Sequence, residues 1–353
     1  MTLRRLSEQS RQGGGSGKTE DRWAMGISFV PSIAPRGQKN IVPASVEDDV
    51  MPDKIGFIGL GIMGRPMALN LRQAGHDLYV HARRPESMDP LVEVGATPCS
   101  SPAEVAHQVE VLFTMVSDTP DVEHVLTGER GVLQGAHPGL IVVDMSTISP
   151  AVTRVLARRL AAHGVAMLDA PVSGGEVGAI RGTLSIMVGG EDGTFARVLP
   201  LFQVMGKNIV HVGGQGAGQV CKSCNQVVIS QTLAGVAEAL LLARAAGVDP
   251  AKVRAALLGG SAQSRVLEIH GQRMIDGDFT PGFKARLHRK DMHLVLDAAE
   301  ELGLALPGTA LVTQYLNALL GQDLGELDSS AIYQVLEEAS GLMNAESRRG
   351  LID

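Results

Sequence analysis

Lys222 and Asn225 stand three residues apart in GGQGAGQVCKSCNQ, residues 213–226, inside a stretch that is otherwise mostly apolar. On a helix starting near Gly218 the two share one face. An ammonium and a primary amide are costly to bury without partners. If the face lines a polar cleft, the lysine can stabilise and then protonate a carbonyl oxygen as hydride arrives. Taken from this helix alone, a lysine snorkelling to solvent remains the other reading. A second group of suitable donors is Ser173-Gly174-Gly175, in DAPVSGGEVGAIRGTLSIMVGG, residues 169–190. A hydroxyl and closely spaced backbone N–H groups fit a small carboxylate, although a plain structural turn has the same composition. Lys290-Asp291, in LHRKDMHLVLDAA, offers further charge to such a cleft, or forms an exposed charged turn.

GLGIMG, residues 59–64, has the G-x-G-x-x-G spacing. It follows a predicted strand and opens a predicted helix, the context in which this spacing holds a dinucleotide. Gly59 permits the tight turn, Gly61 clears the approach to a pyrophosphate, and Gly64 allows helix and strand to pack. The helix N-terminus offers free N–H groups to the phosphate. About 20 residues on, an NAD site usually carries an acid for the ribose 2′-hydroxyl. Here Arg83 and Arg84 follow Ala82 instead. Two guanidiniums suit a 2′-phosphate, so NADP(H) is the expected preference and NAD(H) the other candidate; two solvated arginines are the alternative. Cys221 and Cys224 form a C-x-x-C with no second cysteine pair or nearby histidine. They are expected as small buried residues rather than as a metal or redox centre, and no metal is expected.

These residues need elements to position them. Residues 55–60, 77–82, 109–116, 140–146 and 165–173 read as apolar strands, with helix-length stretches such as 63–74 and 150–163 between them. That alternation predicts a parallel, doubly wound α/β sheet of Rossmann type. Residues 184–190 and 208–214 read as two more strands on its far side. Residues 219–246 form one long helix, apolar nearly all round and so expected to be buried. The remainder reads as helices only. The expected organisation is an extension at residues 1–50, a dinucleotide-binding domain at 51–214, an all-α domain at 215–345 and a tail at 346–353. The extension is rich in Gly, Ser, Pro, Arg and Lys without periodicity, and is expected to be disordered.

Three cysteines in 353 residues are too few for a disulfide framework, which suits a reducing, cytoplasmic setting. A formal net charge of −7 argues against nucleic acid or an anionic membrane as partner. No uncharged apolar run of about 18 residues occurs, so no membrane span is expected. The 42 glycines exceed the usual share of about 7% and point to tight turns and close backbone approaches.

IGFIGLGIMGRPMALNL, DMSTISP, DAPVSGGEVGAIRGTLSIMVGG, GAGQVCKSCNQ, FTPGFKARLHRKD and DSSAI occur in this order along the chain. From Lys54 to about residue 345 it resembles the 3-hydroxyisobutyrate dehydrogenase-related (β-hydroxyacid dehydrogenase) family, whose fold is that of 6-phosphogluconate dehydrogenase. Asn225-Gln226 and the histidine of LHRKD incline the resemblance to the branch reducing 2-hydroxy-3-oxopropionate (tartronate semialdehyde) to D-glycerate. The resemblance implies reversible hydride transfer between NAD(P)H and a small carboxylate aldehyde. It implies Lys222 as the catalytic lysine and Ser173, Gly174, Gly175 and Asn225 as substrate-binding residues. It implies Lys290 near both cofactor and substrate, and cofactor contacts from Gly59, Gly61, Ile62, Met63, Gly64 and Thr147. It further implies a homodimer or homotetramer built through the helical domain. Two departures are Ser223-Cys224, where an apolar-alanine pair is commoner, and the residues ahead of Met51, where the family usually starts. Other activities of the family, 3-hydroxyisobutyrate, succinic semialdehyde or glyoxylate chemistry, stay open. A non-catalytic cofactor-binding protein on the same fold is the reading from another class.

Overall fold

The structure, a computed structural model, describes residues 54–342. The extension and tail expected at residues 1–50 and 346–353 lie outside the described residues. The strands are β1 (Lys54–Ile58), β2 (Asp77–His81), β3 (Thr97–Pro98), β4 (Val111–Thr114), β5 (Ile141–Asp144), β6 (Ala166–Asp169), β7 (Val172–Ser173), β8 (Leu184–Gly189) and β9 (Gly206–Gly213). They form one sheet in the order β3-β2-β1-β4-β5-β6-β8-β7, with β9 paired to β8. The first six strands run parallel. Strand β8 is antiparallel to both β6 and β7. The expected doubly wound sheet is therefore present, and its order reverses beside β1, the place where such sheets bind ligands.

The expected single strand over residues 165–173 is two. Pro171 lies between β6 and β7; it has no N–H to continue a ladder, and β7 turns to pair with β8 instead.

The helices α1 (Gly64–Gln73), α2 (Asp89–Val92), α3 (Pro102–Gln108), α4 (Thr119–Thr127), α5 (Pro150–Ala161), α6 (Gly175–Ile180) and α7 (Asp192–Met205) connect the strands. Helices α4 and α5 begin with an Asp118 or Ser149 side-chain cap followed by proline, a combination that fixes where a helix starts. On one face of the sheet, Ile55, Phe57 and Phe113 pack with Met67, Leu71, Phe202 and Met205. On the other, Leu112 and Val142 pack with Val105, Leu156 and Leu160. Each fully buried side chain of this size contributes about 1.5–3 kcal/mol.

From α8 (Ala217–Ala245) onward the chain is helical: α9 (Pro250–Leu258), α10 (Arg265–Asp276), α11 (Ala285–Glu301), α12 (Pro307–Gly321) and α13 (Ile332–Ala339). Leu233, Ala237 and Leu240 of α8 form a third core with Met274, Met292, Leu316 and Ile332. Among the described residues, α8 is the one helix long and apolar enough to cross a membrane by length and composition, and half of that stretch is buried. The expectation that it is buried all round is corrected: Val220, Val228 and Leu242 are 45%, 65% and 72% exposed. One stripe of the helix thus faces outward while the opposite stripe forms the core.

Candidate active site

The glycine loop joins β1 to α1. Gly59 has φ +95°, and a Cβ there would lie 2.2 Å from the Met115 carbonyl oxygen. A Cβ on Gly64 would lie 1.9 Å from the Gly59 carbonyl oxygen. The protein's own backbone therefore requires both glycines. Gly61 differs: a Cβ there would meet nothing within 4 Å. Its bareness answers to no packing need inside the chain, which fits an approach left open for a ligand. Met63 supplies no side-chain cap to α1; in its first turn the Arg65 N–H donates to the Gly61 carbonyl at 3.0 Å and Pro66 has no N–H, which leaves the Gly64 N–H to face an anion. Ile62 is 59% exposed beside this opening. Arg83 and Arg84 are exposed just past the end of β2, the neighbour of β1. These residues fit a dinucleotide cofactor.

The second part of the site joins the sheet to the helical half. Lys222 of α8 is buried, and its ammonium donates to the Val172 carbonyl at 2.8 Å. That bond sets it against β7 and the adjoining Ser173, which is half-buried. Gly174 and Gly175 follow, exposed, with φ of +133° and +61°. Burial pulls the Lys222 ammonium below the ordinary lysine range; Asp291 pushes it back up and Lys290 adds to the lowering. Lys290 of α11 donates to the carbonyls of Thr147 at 2.7 Å and Ser117 at 3.1 Å, beyond the carboxyl ends of β5 and β4. Its ammonium also lies 3.0 Å from Asp291. Asn225 donates to Gln226, and Gln226 in turn donates to Asp291. Lys222, Ser173, Asn225, Lys290 and Thr147 thus gather at the carboxyl edge of the sheet, against α8 and α11. Arg83 and Arg84 stand apart from them, past the end of β2.

Several buried polar residues here carry no signal in spacing alone. Asp144 and Asp169 end β5 and β6 as register partners. Burial raises each carboxyl to about 6. An apolar strand ending on aspartate, in DMS and again in DAP, is the one trace they leave in the sequence. His288, the histidine of LHRKD, is fully buried, and neither ring nitrogen has a hydrogen-bond partner among the described residues. Burial drives it down to about 4, opposed by Asp291 and helped by Lys222, so it stands neutral beside the lysine. Cys224 corrects an expectation: it is exposed, and Cys221 is partly so. The outward stripe of α8 runs through Cys224.

Residues 54–213 match the family model of the NAD-binding domain of 6-phosphogluconate dehydrogenase. Residues 216–336 match the NAD-binding model of NADP-dependent 3-hydroxyisobutyrate dehydrogenase. The chain is 50% identical over 284 residues to the 2-hydroxy-3-oxopropionate reductase of Escherichia coli K12, covering 80% of this chain and 97% of that protein. The chain belongs to the 3-hydroxyisobutyrate dehydrogenase-related family. As a member it is an NAD(P)-dependent oxidoreductase, and other relatives show the family's breadth. A 2-(hydroxymethyl)glutarate dehydrogenase of Eubacterium barkeri is 38% identical over 290 residues, 82% of this chain and 96% of that protein. Among solved structures, the 3-hydroxyisobutyrate dehydrogenase of Mycobacterium tuberculosis, with L-serine, superposes with a TM-score of 0.76 at 32% identity, covering 81% of this chain and 99% of that one.

Proposed function

We propose that this family member reduces 2-hydroxy-3-oxopropionate to D-glycerate, reversibly, with Lys222 as general acid. The observation that carries the chemistry is the buried Lys222 ammonium, fixed to the Val172 carbonyl at the edge of the Ser173-Gly174-Gly175 turn. The substrate reading rests on the 50% identity to the Escherichia coli reductase. In this reading residues 51–214 form the cofactor domain and residues 215–345 the helical domain. The cofactor lies along Gly59, Gly61, Ile62, Met63 and Gly64 and reaches Thr147 and Lys290. Bound there, the nicotinamide supplies the hydride. Ser173, Gly174 and Gly175 receive the substrate carboxylate, and Asn225 and Lys290 its oxygens. As the carbonyl carbon is reduced, charge gathers on its oxygen, and Lys222 first stabilises that charge and then gives it a proton. Burial favours this role by lowering the lysine towards neutrality.

Lys222→Ala should cost about 10²–10⁴-fold in kcat, with cofactor affinity nearly unchanged. Retention of more than about a tenth of kcat, with chemistry rate-limiting, would move the acid role to Lys290. A panel of tartronate, methylmalonate and succinic semialdehydes with glyoxylate, compared by kcat/KM, tests the substrate.

The cofactor reading is NADP(H) ahead of NAD(H). It is supported by two exposed arginines at the end of β2 and by the NADP-dependent family model. Replacing Arg83 and Arg84 together by alanine should cut kcat/KM for NADPH about tenfold to a hundredfold and spare NADH, since a charge-assisted hydrogen bond contributes about 1.5–3 kcal/mol. Equal losses with both cofactors would sink this assignment. The working form is read as a cytoplasmic homodimer or homotetramer. The exposed Val220, Val228 and Leu242 of α8 support an association surface of that kind.

A further inference from the structure

We propose that Gln219 is a positioning residue that keeps the Thr147 loop in register with the helix carrying Lys222. The inference rests on the reading above, in which Thr147 touches the cofactor and Lys222 is the acid. Gln219 is 1% exposed. Its side-chain oxygen accepts from the Ile148 N–H at 3.1 Å, and its side-chain nitrogen donates to the Ser146 carbonyl at 2.8 Å. One amide thus takes up both backbone groups that flank Thr147. A neighbouring strand would satisfy the same two groups, because the carbonyl before a residue and the N–H after it point the same way. The carbonyl of the residue between them points oppositely, and that of Thr147 accepts from Lys290 at 2.7 Å. The Thr147 backbone is therefore gripped on one side by α8 and on the other by α11.

The grip transmits position because Gln219 is itself fixed. The Asp169 carboxylate accepts the N–H of Gly216 at 2.7 Å and of Gln219 at 2.9 Å. Gly218 sits so close to the sheet that a Cβ would lie 2.4 Å from the Met187 carbonyl oxygen and 2.6 Å from that of Asp169. The first turn of α8 cannot slide or rotate without breaking these contacts. Lys222 lies three residues on, one turn away on the same face. The spacing between cofactor loop and proton donor is set through one side chain anchored at both ends.

Glu and Met at position 219 test this. A neutral Glu carboxyl has one donor and one acceptor and can restore both bonds; its carboxylate only accepts and repels the Ser146 carbonyl. Burial and the Asp169 carboxylate, which accepts the N–H of residue 219, push its titration up, against the Lys222 ammonium one turn on and the Lys290 ammonium on the Thr147 carbonyl. Gln219→Glu, normalised to wild type at each pH, should approach wild-type kcat at low pH and fall about 10- to 100-fold as the carboxyl ionises, the scale of a misplacement of about 1 Å. Gln219→Met should show that loss at every pH, in kcat more than in substrate KM. The primary isotope effect on kcat with 4-deuterated reduced cofactor should rise, because hydride transfer slows.

A lower melting temperature with unchanged kcat and isotope effect would mean Gln219 only holds the fold, and overturns the proposal. So would a pH-independent Gln219→Glu. If Gln219→Met does not fold, the Gln219→Glu pH series decides within one protein. Lys222→Ala, measured alongside, separates the two ideas: its retention of kcat removes the acid reading and this inference with it. Its loss of kcat, with unaltered Gln219 variants, removes the positioning role alone.

Discussion

Asp144 and Asp169 at the sheet edge, and Asp328 in the helical half, are all 0% exposed, yet they are held in opposite ways. Asp328 faces the Arg273 guanidinium at 3.0 Å and the His270 ring at 3.3 Å. It also accepts the N–H groups of Gly282, Phe283 and Ser330 and the Ser330 hydroxyl. Burial pushes its carboxyl up, but these bonds, His270 and Ser330 foremost, hold it well below the usual carboxylate range. Asp144 accepts from the Thr114 hydroxyl and the Ser146 N–H, and Asp169 from the N–H groups of Gly216, just ahead of α8, and Gln219 within it. Among the described residues no salt bridge reaches either, and one oxygen of Asp144 has no hydrogen-bond partner. Burial prevails, and both rise to about 6. Equal burial therefore leaves one carboxylate ionised across the ordinary pH range and two able to take a proton; the hydrogen bonds gathered on the charged form decide. The permanent charge ties loops together, and the titrating pair lies where chemistry is read to occur.

The largest effect should come from removing the permanent charge. Asp328→Ala leaves Arg273 and three backbone N–H groups facing an emptied site, and should cost about 3–5 kcal/mol, read from urea melts at pH 7. A cost under about 1 kcal/mol would class this network with exposed ion pairs and break the comparison.

The smaller effect should come from Asp144→Asn, with reversed sign. The folded carboxyl binds its proton more tightly than the unfolded one, at about 6 against an ordinary 3.8. That stability is fully present below the unfolded value and is lost as pH rises through about 6. Asp144→Asn removes the dependence. Relative to wild type it should gain between pH 4 and pH 6 and level off above, by roughly 1–3 kcal/mol. His288 titrates oppositely, losing stability as pH falls towards 4, but it is common to both proteins and cancels in the difference. A gap between the two proteins that does not change from pH 4 to pH 8 would mean Asp144 ionises like an exposed aspartate.

Local pattern revealed what local physics imposes. Apolar runs marked the strands, and the glycine spacing was legible because the backbone itself demands Gly59 and Gly64. Pro171 hid the division of residues 165–173 into β6 and β7, since an apolar run does not show which partner each half will pair with. The apolar period of α8 did not reveal which stripe meets the core and which faces out at Val228. Lys222 stood out as a charge in apolar surroundings, whereas Lys290, within the charged run Arg289-Lys290-Asp291, stood out only through the family resemblance. Gln219, Gln226 and Asp328 did not: their bonds join residues 71, 65 and 46 positions apart, so no window along the chain contains both ends.

Helix α8 has a further consequence for how such a chain can change over generations. Its 29 residues run without interruption from the sheet, at Gly218, into the helical core at Leu240. In a helix each residue adds about 100° of rotation and 1.5 Å of rise. A one-residue insertion after Asn225 would therefore spin Leu233, Ala237 and Leu240 off their neighbours like a spindle turned out of phase. Point substitutions can accumulate along this element, but a change of length is a rotation of half the molecule, and α8 should be the last place where the family tolerates one.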